Sequence, residues 1–232
     1  MADIQLLQKK LGYQFRNEAL LEEALSHRSA GACNYERLEF LGDGFLNFTI
    51  ATELFHHRTD EDEGALSRLR ASLVRESTLA EIARELNLGD YLKMGVGELR
   101  SGGFKRDSTL SDVVESLVGA VFIEAGFDEA KALVLRLYGN RIVNLPPSAQ
   151  LKDPKTRLQE YLQGQGFERP DYEVVDTSGK AHDMRFTVKC TLQEQKISIR
   201  ATATSRRKAE QAAAQSVLSE LEQARTSAEK TL

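Results

Sequence analysis

The segment ERLEFLGDGFL, residues 36–46, predicts an amphipathic helix with an acidic side. Apolar side chains recur there and just beyond it at the three- and four-residue spacing of one helix face: Leu38, Leu41, Phe45 and Phe48. The opposite face carries three acids: Glu36, Glu39 and Asp43. Like charges four residues apart destabilise a helix by about 0.2–0.5 kcal/mol. Taken alone, the charge pattern favours a solvated acidic surface, and a cation bound at this face is the alternative.

A second acidic pair lies in STLSDVVESLVGAVFIEAG, residues 108–126. Asp112 and Glu115 share one face of a predicted helix whose other residues are mostly small or apolar, with no Lys or Arg among them. Such a helix is largely buried, and a buried carboxylate is rarely left unpaired. Two helices that supply only carboxylate oxygens favour Mg²⁺ or Mn²⁺ over zinc. Because two such cations about 3.5–4 Å apart can hold the attacking and leaving oxygens of a phosphodiester, the segments predict metal-dependent hydrolysis of a phosphate backbone.

The composition indicates a soluble protein with two unlike halves. The chain has 232 residues, of which 41% are hydrophobic and 28% charged, and a net charge of −4. Residues 1–150 hold 17 basic and 23 acidic side chains, whereas residues 151–221 hold 12 and 10. We therefore expect two domains with different tasks. Cys33 and Cys190 have no disulfide or metal-ligand spacing, which suits a reducing compartment. With no signal sequence and no apolar run near the ~18 residues of a membrane helix, we expect a cytoplasmic protein without a membrane partner.

Hydrophobic periodicity predicts an all-helical first domain over residues 1–145. Its predicted helices fall within residues 6–11, 19–25, 38–55, 79–86, 110–122 and 130–142. Breaker-rich stretches at 58–64 and 95–107 are predicted loops. Residues 146–153 are the predicted interdomain linker, in a stretch that holds three of the four prolines of the chain, and few contacts are expected across it.

In the second domain, residues 154–224, the hydrophobic periodicity predicts elements in the order α-β-β-β-α. The predicted fold class is therefore a two-domain protein, α plus α/β. Its predicted strands cover residues 172–177, 184–192 and 196–203. They suggest a small antiparallel sheet with both helices on one face. Residues 225–232 are polar and are predicted to form a flexible tail.

Two motif pairs carry a family resemblance over almost the whole chain. NYERLEFLGDGFL, followed by SGGFKRDSTLSDVVESLVGAVF, resembles the signature pair of bacterial ribonuclease III, and most of all the gammaproteobacterial enzymes. KDPKTRLQEYLQ and SRRKAEQAAA resemble the double-stranded RNA-binding domain that follows it in that family. The resemblance implies a homodimeric endoribonuclease that cuts both strands of duplex RNA, uses Mg²⁺ with Mn²⁺ as a substitute, and leaves 5′-phosphates, 3′-hydroxyls and short 3′ overhangs. It implies ribosomal RNA precursors and some messenger and transfer RNA transcripts as substrates.

The same resemblance implies roles for single residues of the first domain. The metal ligands would be Glu39, Asp112 and Glu115, and the catalytic groups Glu115, bridging metals, and Asp43, orienting water or the surrounding hydrogen bonds. Phe40, a large apolar residue on the acidic side of its helix, would pack into a second subunit with Glu36 at the same interface; an incidental exposed Phe is the alternative. Three further residues match the family, but we favour a role outside the chemistry for them. Glu63 is expected to be a solvated acid, and His27 and Arg28 are expected to brace a helix.

Three cations, Arg206, Arg207 and Lys208, begin the last predicted helix. Cations there oppose the helix dipole, so a phosphate ligand explains them better than solvent does. In A-form RNA the readable surface is the wide minor groove with its 2′-hydroxyls and flanking phosphates. By resemblance, the basic residues bridge the major groove, and successive minor grooves are contacted by Thr156, Gln159, Glu160 and His182.

Departures from the family pattern are mild. Gly44 follows Asp43 at a cost of roughly 1 kcal/mol of helix preference. Ser111 and Ser116 stand where alanines are usual, and Ala201 and Ala203 where glycines are frequent; an alanine would be strained if φ were positive there. Two other functions compete with a nuclease: a non-cleaving regulator that binds duplex RNA, and a purely structural helical protein. The first needs a missing carboxylate, and the second leaves Asp112 and Glu115 unexplained.

Overall fold

The computed structural model describes residues 3–180 and 183–229. It divides into two compact units, the first ending at Leu151 and the second beginning at Lys152. The α-helices of the first unit are α1 (Ile4–Leu11), α2 (Glu18–Ala24), α3 (Glu36–His57), α4 (Glu63–Val74), α5 (Glu76–Leu86), α6 (Val96–Arg100), α7 (Asp107–Ala125) and α8 (Phe127–Tyr138). No strand occurs among its described residues, so the predicted all-helical domain is confirmed.

Helix α7 forms the centre of the first unit. Nearly every residue between Thr109 and Val121 is buried, apart from Asp112 and Glu115, which are half-buried. The helix packs against α3 on one side and α5 on another. An apolar helix in this position is what its composition predicts, and it leaves its two carboxylates at the edge of the core.

Helices α4 and α6 were not predicted, because the segments around their starts were read as loops. The acidic run before α4 in fact begins the helix: the Asp62 side chain accepts a hydrogen bond from the Ala65 N–H at 2.6 Å, and Glu63 is the first helical residue. Acids at a helix start satisfy free N–H groups and complement the dipole. The loop interpretation of Glu63 is therefore wrong.

The end of the first unit is fastened to its surface. Residues 148–151 form a short 3₁₀ turn that packs against α4. Ser148 donates to Glu61 Oε2 at 2.7 Å, and an Arg58 Nη2 donates to the Leu145 carbonyl at 3.3 Å. Leu151 packs against the hydrophobic core. Much of the predicted linker thus lies on the helical unit, because Arg58 and Glu61 offer it partners that no proline count reveals.

The second unit consists of α9 (Pro154–Gly164), β1 (Asp171–Ser178), β2 (Arg185–Leu192), β3 (Ile197–Ala203) and α10 (Arg206–Glu229). The strands form an antiparallel sheet in the order β1-β2-β3. Leu158 of α9 and Val217 of α10 share one core with Cys190 of β2, so both helices cover the same face of the sheet. The α-β-β-β-α prediction is confirmed.

Two sequence expectations about the second unit are corrected or resolved. Helix α10 continues to Glu229, so residues 225–229 are helical rather than a flexible tail; the segment contains no Gly or Pro that would end the helix. Residues 230–232 of that tail lie outside the described part of the chain. Ala201 and Ala203 pair with Val188 and Phe186 in the sheet, and neither has a positive φ, so neither is strained.

Candidate active site

Helices α3 and α7 touch backbone to backbone through two glycines. A Cβ atom on Gly42 would lie 1.8 Å from the carbonyl oxygen of Glu115, and one on Gly119 would lie 2.2 Å from the carbonyl oxygen of Leu38. Only glycine fits at either position. The close approach places the acids of α3 beside those of α7.

Three carboxylates meet at this crossing. Glu39, Asp112 and Glu115 each offer one oxygen, and these oxygens all lie within 4.8 Å of one another. All three side chains are half-buried. A set of carboxylate oxygens with no sulfur or imidazole suits a hard divalent cation, so the residues present fit the predicted metal site.

Asp43 lies beside this cluster rather than inside it. Its charge is the leading electrostatic cause of the raised pKa of Glu115, which places it near that residue. Its own side chain is exposed, and its Oδ1 accepts a hydrogen bond from Nδ2 of Asn47 at 2.7 Å. Asn47 also donates to the Asp43 carbonyl at 3.0 Å. The structure thus separates the predicted acids into three that share a potential cation and one at the side.

The cluster is electrostatically unfavourable without a cation. Burial, with added repulsion from Asp43, Asp112 and Glu39, raises the pKa of Glu115 to about 8. Burial and the charge of Asp112 raise the pKa of Glu39 to about 7, although the nearby Arg28 opposes the shift. Burial also raises the pKa of Asp112. A divalent cation would remove this repulsion, so proton and metal compete for the same oxygens.

Tyr35 is a polar neighbour of the cluster that sequence reasoning missed. Its hydroxyl lies 3.3 Å from Oδ2 of Asp112. Burial and the adjacent Asp112 raise the pKa of Tyr35 well above its usual value, so the hydroxyl stays protonated. A buried tyrosine ahead of an acidic helix was the available sequence signal, but its partner lies on another helix. Gly42 and Gly119 were missed for the same reason, whereas Asn47 was missed although its partner, Asp43, lies one turn earlier on the same helix.

Several predicted residues lie around the cluster without joining it. Glu36 is exposed and pairs with Arg28, with 3.6 Å between Oε1 and Nη1. His27 caps the short turn at residues 28–30, where its Nδ1 accepts from the Ser29 N–H, so the structural reading of His27 is confirmed. Glu63 accepts from the Ser67 hydroxyl within α4.

Helix α3 exposes a row of aromatic side chains. Phe40 is 82% exposed, and Phe48 and Phe55 are 57% and 67% exposed. Phe48, which the periodicity places on the apolar face of α3, is therefore not covered by the core, because it lies on the flank of that face. A hollow beside Phe40 is bounded by the apolar side chains of Leu41, Phe45 and Phe122 and, on one side, by Asp43 and Gly44.

In the second unit, the predicted RNA-binding residues that the structure describes fall on the two helices, α9 and α10. Thr156, Gln159 and Glu160 lie on α9, where Glu160 pairs with Lys152 at 2.7 Å. The three basic residues begin α10 and are exposed: Arg206, Arg207 and Lys208. His182 lies outside the described residues.

One buried carboxylate joins the two helix ends. Oxygens of Glu210 accept from Nζ of Lys155 at 2.6 Å and from Nε of Arg206 at 2.8 Å. The hydrogen bond from Lys155, with help from Arg206 and against burial, lowers the pKa of Glu210. This ion pair network fixes the start of α10 against α9 and holds one of its three cations in place.

Comparison with known proteins agrees with this geometry. Residues 17–142 match the family model described as ribonuclease-III-like, and residues 154–221 match the double-stranded RNA binding motif. The chain belongs to the ribonuclease III family. It is accordingly an endoribonuclease that acts on double-stranded RNA through a divalent metal-dependent nuclease domain, with a separate RNA-binding domain after it.

Relatives of this ribonuclease III chain match it over nearly its full length. The chain is 54% identical to ribonuclease 3 of Alkalilimnicola ehrlichii over 93% of its own length and 95% of the relative's. It is 51% identical to ribonuclease 3 of Proteus mirabilis, over 93% of its own length and 96% of the relative's. The crystal structure of the nuclease domain of ribonuclease III from Campylobacter jejuni is 44% identical, with a TM-score of 0.60 over 63% of this chain and all of that one.

Among the described residues, no helix is both long and apolar enough to cross a bilayer.

Proposed function

We propose that Glu39, Asp112 and Glu115 hold the divalent metal of this ribonuclease and that Asp43 acts beside them on the attacking water. The observation that carries the proposal is the convergence of three carboxylate oxygens within 4.8 Å at a glycine-mediated helix crossing. The ion that best fits this all-oxygen set is Mg²⁺, with Mn²⁺ as a substitute. When bound, it would polarise the scissile phosphate and favour ionisation of the attacking water.

The protein's own groups have distinct tasks in the proposed reaction. Glu115 offers one of the three converging oxygens, and burial and the charge of Asp43 raise its pKa to about 8, so a bound cation would relieve the repulsion at this residue in particular. Asp43, exposed and oriented by Asn47, is suited to accepting a hydrogen bond from water at the open side of the cluster. Water adds to phosphorus, the P–O3′ bond breaks and the 3′ oxygen takes up a proton, which leaves a 5′-phosphate and a 3′-hydroxyl.

The decisive experiment replaces Glu115 by Gln and assays cleavage of long duplex RNA with Mg²⁺. We expect duplex binding to remain and cleavage to be almost abolished. Glu81→Gln removes an exposed acid of α5 and is the matched control. Cleavage by Glu115→Gln at the control's rate would refute the proposed site.

We propose further that two copies associate through the exposed aromatic row of α3. Phe40, 82% exposed, is suited to enter the hollow of a second copy bounded by Leu41, Phe45 and Phe122. A related Campylobacter jejuni structure, 44% identical with a TM-score of 0.59, is described as concerning a region involved in dimer formation of its nuclease domain, which supports this assignment. Glu36, on the same helix and exposed, would lie at the edge of the interface.

Sedimentation of a charged variant tests the dimer. Phe40→Asp should convert the protein to monomers, because a buried unpaired carboxylate is costly. Leu6→Asp changes an exposed apolar residue of a different helix, α1, and should leave the sedimenting mass that of a dimer. A dimer that survives Phe40→Asp would contradict the assignment.

The second unit is proposed to hold the duplex through the start of α10, with Arg206, Arg207 and Lys208 on phosphates and with Thr156, Gln159, Glu160 and His182 on the minor grooves. The exposure of the three cations and the ion pair network at Glu210 support this arrangement. By family, we propose cytoplasmic processing of ribosomal RNA precursors and of some messenger and transfer RNAs. A survey of RNA ends in cells lacking the protein would test these substrates; unchanged precursor ends would contradict them.

A further inference from the structure

Tyr35 is held rigidly at the start of the acidic helix. Its side chain is buried, with 3% of the residue exposed. Its backbone N–H donates to the Ser26 carbonyl at 2.9 Å, and its ring lies edge-on to the ring of His27 with 5.8 Å between centroids. The position of the phenol is therefore fixed by the core and by the preceding loop.

The hydroxyl of this fixed ring points at a carboxylate of the other acidic helix. It lies 3.3 Å from Oδ2 of Asp112. An ionised carboxylate can only accept, so Tyr35 donates and Asp112 accepts. The bond therefore connects the residue before α3 with α7, the two helices that supply the carboxylate cluster.

We propose that Tyr35 is a positioning residue for the metal site: its hydroxyl holds the Asp112 carboxylate in the orientation that shares a cation with Glu39 and Glu115. The inference rests on the proposed metal role of Asp112. A carboxylate has two oxygens and about four lone-pair positions, so the bond to Tyr35 leaves acceptor capacity for a cation. Tyr35 itself does not touch the metal.

The hydroxyl, rather than the ring, carries this role. A Phe ring would fill the same buried space, so packing alone does not require the oxygen. Partners that orient a metal-binding side chain are typically worth about 10–100-fold in metal affinity. Because 3.3 Å is long for an O–H to carboxylate bond, we expect an effect near the lower limit, about tenfold.

The chain offers a closely matched control. Tyr13 also donates its hydroxyl to a carboxylate of α7, Glu124, at 2.5 Å. Glu124 follows Asp112 by twelve residues on the same helix, which corresponds to about 18 Å along its axis. Tyr13→Phe therefore removes the same kind of bond from the same helix without touching the cluster.

The test measures Mn²⁺ binding directly, by electron paramagnetic resonance of the free ion, in the full-length protein without RNA. We expect the Mn²⁺ dissociation constant of Tyr35→Phe to rise about tenfold and that of Tyr13→Phe to match the unchanged protein. In RNA cleavage, Tyr35→Phe should need a correspondingly higher Mg²⁺ concentration for half-maximal rate and regain most of its kcat at saturating Mg²⁺.

Mn²⁺ binding by Glu115→Gln separates a failure of the proposed metal site from a failure of the positioning role of Tyr35. If Glu115→Gln weakens Mn²⁺ binding while Tyr35→Phe does not, the metal site stands and the role of Tyr35 is refuted. If Glu115→Gln also binds Mn²⁺ unchanged, the metal site fails and the positioning role fails with it. Equal weakening in both tyrosine variants would indicate a general structural effect and would likewise overturn the proposal.

Near-ultraviolet circular dichroism gives a second, spectroscopic measurement of the role of Tyr35. The chain has six tyrosines and no tryptophan, so its near-ultraviolet circular dichroism in the tyrosine region is not obscured by indole. Saturating Mn²⁺ should change this signal in the unchanged protein and in Tyr13→Phe, but far less in Tyr35→Phe. A Mn²⁺-induced change in Tyr35→Phe as large as that in the unchanged protein would overturn the proposal.

Discussion

Gly42 lies against the backbone of Glu115 so closely that an added Cβ atom would fall 1.8 Å from the Glu115 carbonyl oxygen. Backbone atoms cannot move aside as the end of a flexible side chain can. The contact lies between the two turns that carry the carboxylates, so the spacing of α3 and α7 also sets the spacing of the acids.

Gly42→Ala should therefore damage both stability and catalysis. The helices must separate to admit the methyl group, which costs about 1–3 kcal/mol or more in a well-packed core, and the carboxylates separate with them. We expect a lower midpoint of thermal unfolding and a large loss of RNA cleavage. Gly97→Ala, at an exposed helical position with nothing within 4 Å of the new Cβ, is the control. Wild-type cleavage by Gly42→Ala would show that the crossing does not set the site.

The metal-free protein should lose stability as the pH rises. The folded-state pKa of Glu115, about 8, lies above its ordinary 4.5, so the folded chain binds more protons than the unfolded chain between these values. Its stabilising contribution is complete below about pH 4.5 and is lost as the pH rises through about 8; Glu39 adds a similar loss up to about pH 7.

Thermal unfolding in a chelator, measured from pH 5 to pH 8.5, checks this dependence. We expect the midpoint to fall by a few degrees across the range, and saturating Mn²⁺ to remove most of the fall. Glu115→Gln should show a shallower slope and a higher midpoint at alkaline pH, whereas Glu81→Gln should behave like the unchanged protein. A midpoint that rises with pH in the chelator would contradict the electrostatic account.

Asn47 should be required for full activity because its amide orients the Asp43 carboxylate. Asn47→Ala should reduce kcat by about tenfold, since a hydrogen bond to an exposed charged group lies at the lower end of the range for charged partners, about 1.5 kcal/mol. The KM for RNA should hardly change. Thr52→Ala, which removes a hydroxyl bonded to the Phe48 carbonyl of the same helix, is the control. An unaltered kcat would mean that Asp43 needs no such support.

The basic residues of α10 should contribute unequally to RNA binding. All three are exposed at the helix start, but the guanidinium of Arg206 is already paired with Glu210, so we expect Arg207 and Lys208 to contribute more. Replacing Arg207 or Lys208 by Ala should weaken duplex binding and reduce the salt dependence of log K by about one unit per lost phosphate contact. Arg200→Ala, an exposed cation of β3, should change neither quantity. The slope of log K against log salt concentration is measured without divalent metal for the unchanged protein and for the Arg207, Lys208 and Arg200 variants. Equal slopes in all of them would exclude this interface.

The sequence indicated the acids that converge at the candidate site, but not the glycines and the tyrosine that position them. Glu39, Asp112 and Glu115 were recognisable because acids placed on helices otherwise rich in apolar residues are costly without a partner. Gly42 and Gly119 were not, because a glycine in a helix indicates close contact only when the crossing partner is known. Tyr35 has the same difficulty, since its acceptor is seventy-seven residues away.

Two local misreadings have physical causes. The acids before α4 resemble a solvated loop in composition, yet at a helix start they complete hydrogen bonds and complement the dipole. Phe48 follows the periodicity of the buried stripe, yet on a 22-residue helix the stripe is broad enough for one flank to leave the core. Periodicity gives the direction of a side chain but not the extent of the neighbour that would cover it.

The glycine crossing also limits how the choice of cation could be altered. Two backbones already in contact cannot move closer, and larger residues at Gly42 or Gly119 would drive them apart altogether. A cation of different radius would then have to be fitted by changing the length of the acidic side chains. Such changes are Glu to Asp at position 39 or 115, and Asp to Glu at position 112. At the proposed metal site, selectivity between small and large divalent ions would therefore depend on side-chain length and not on helix spacing.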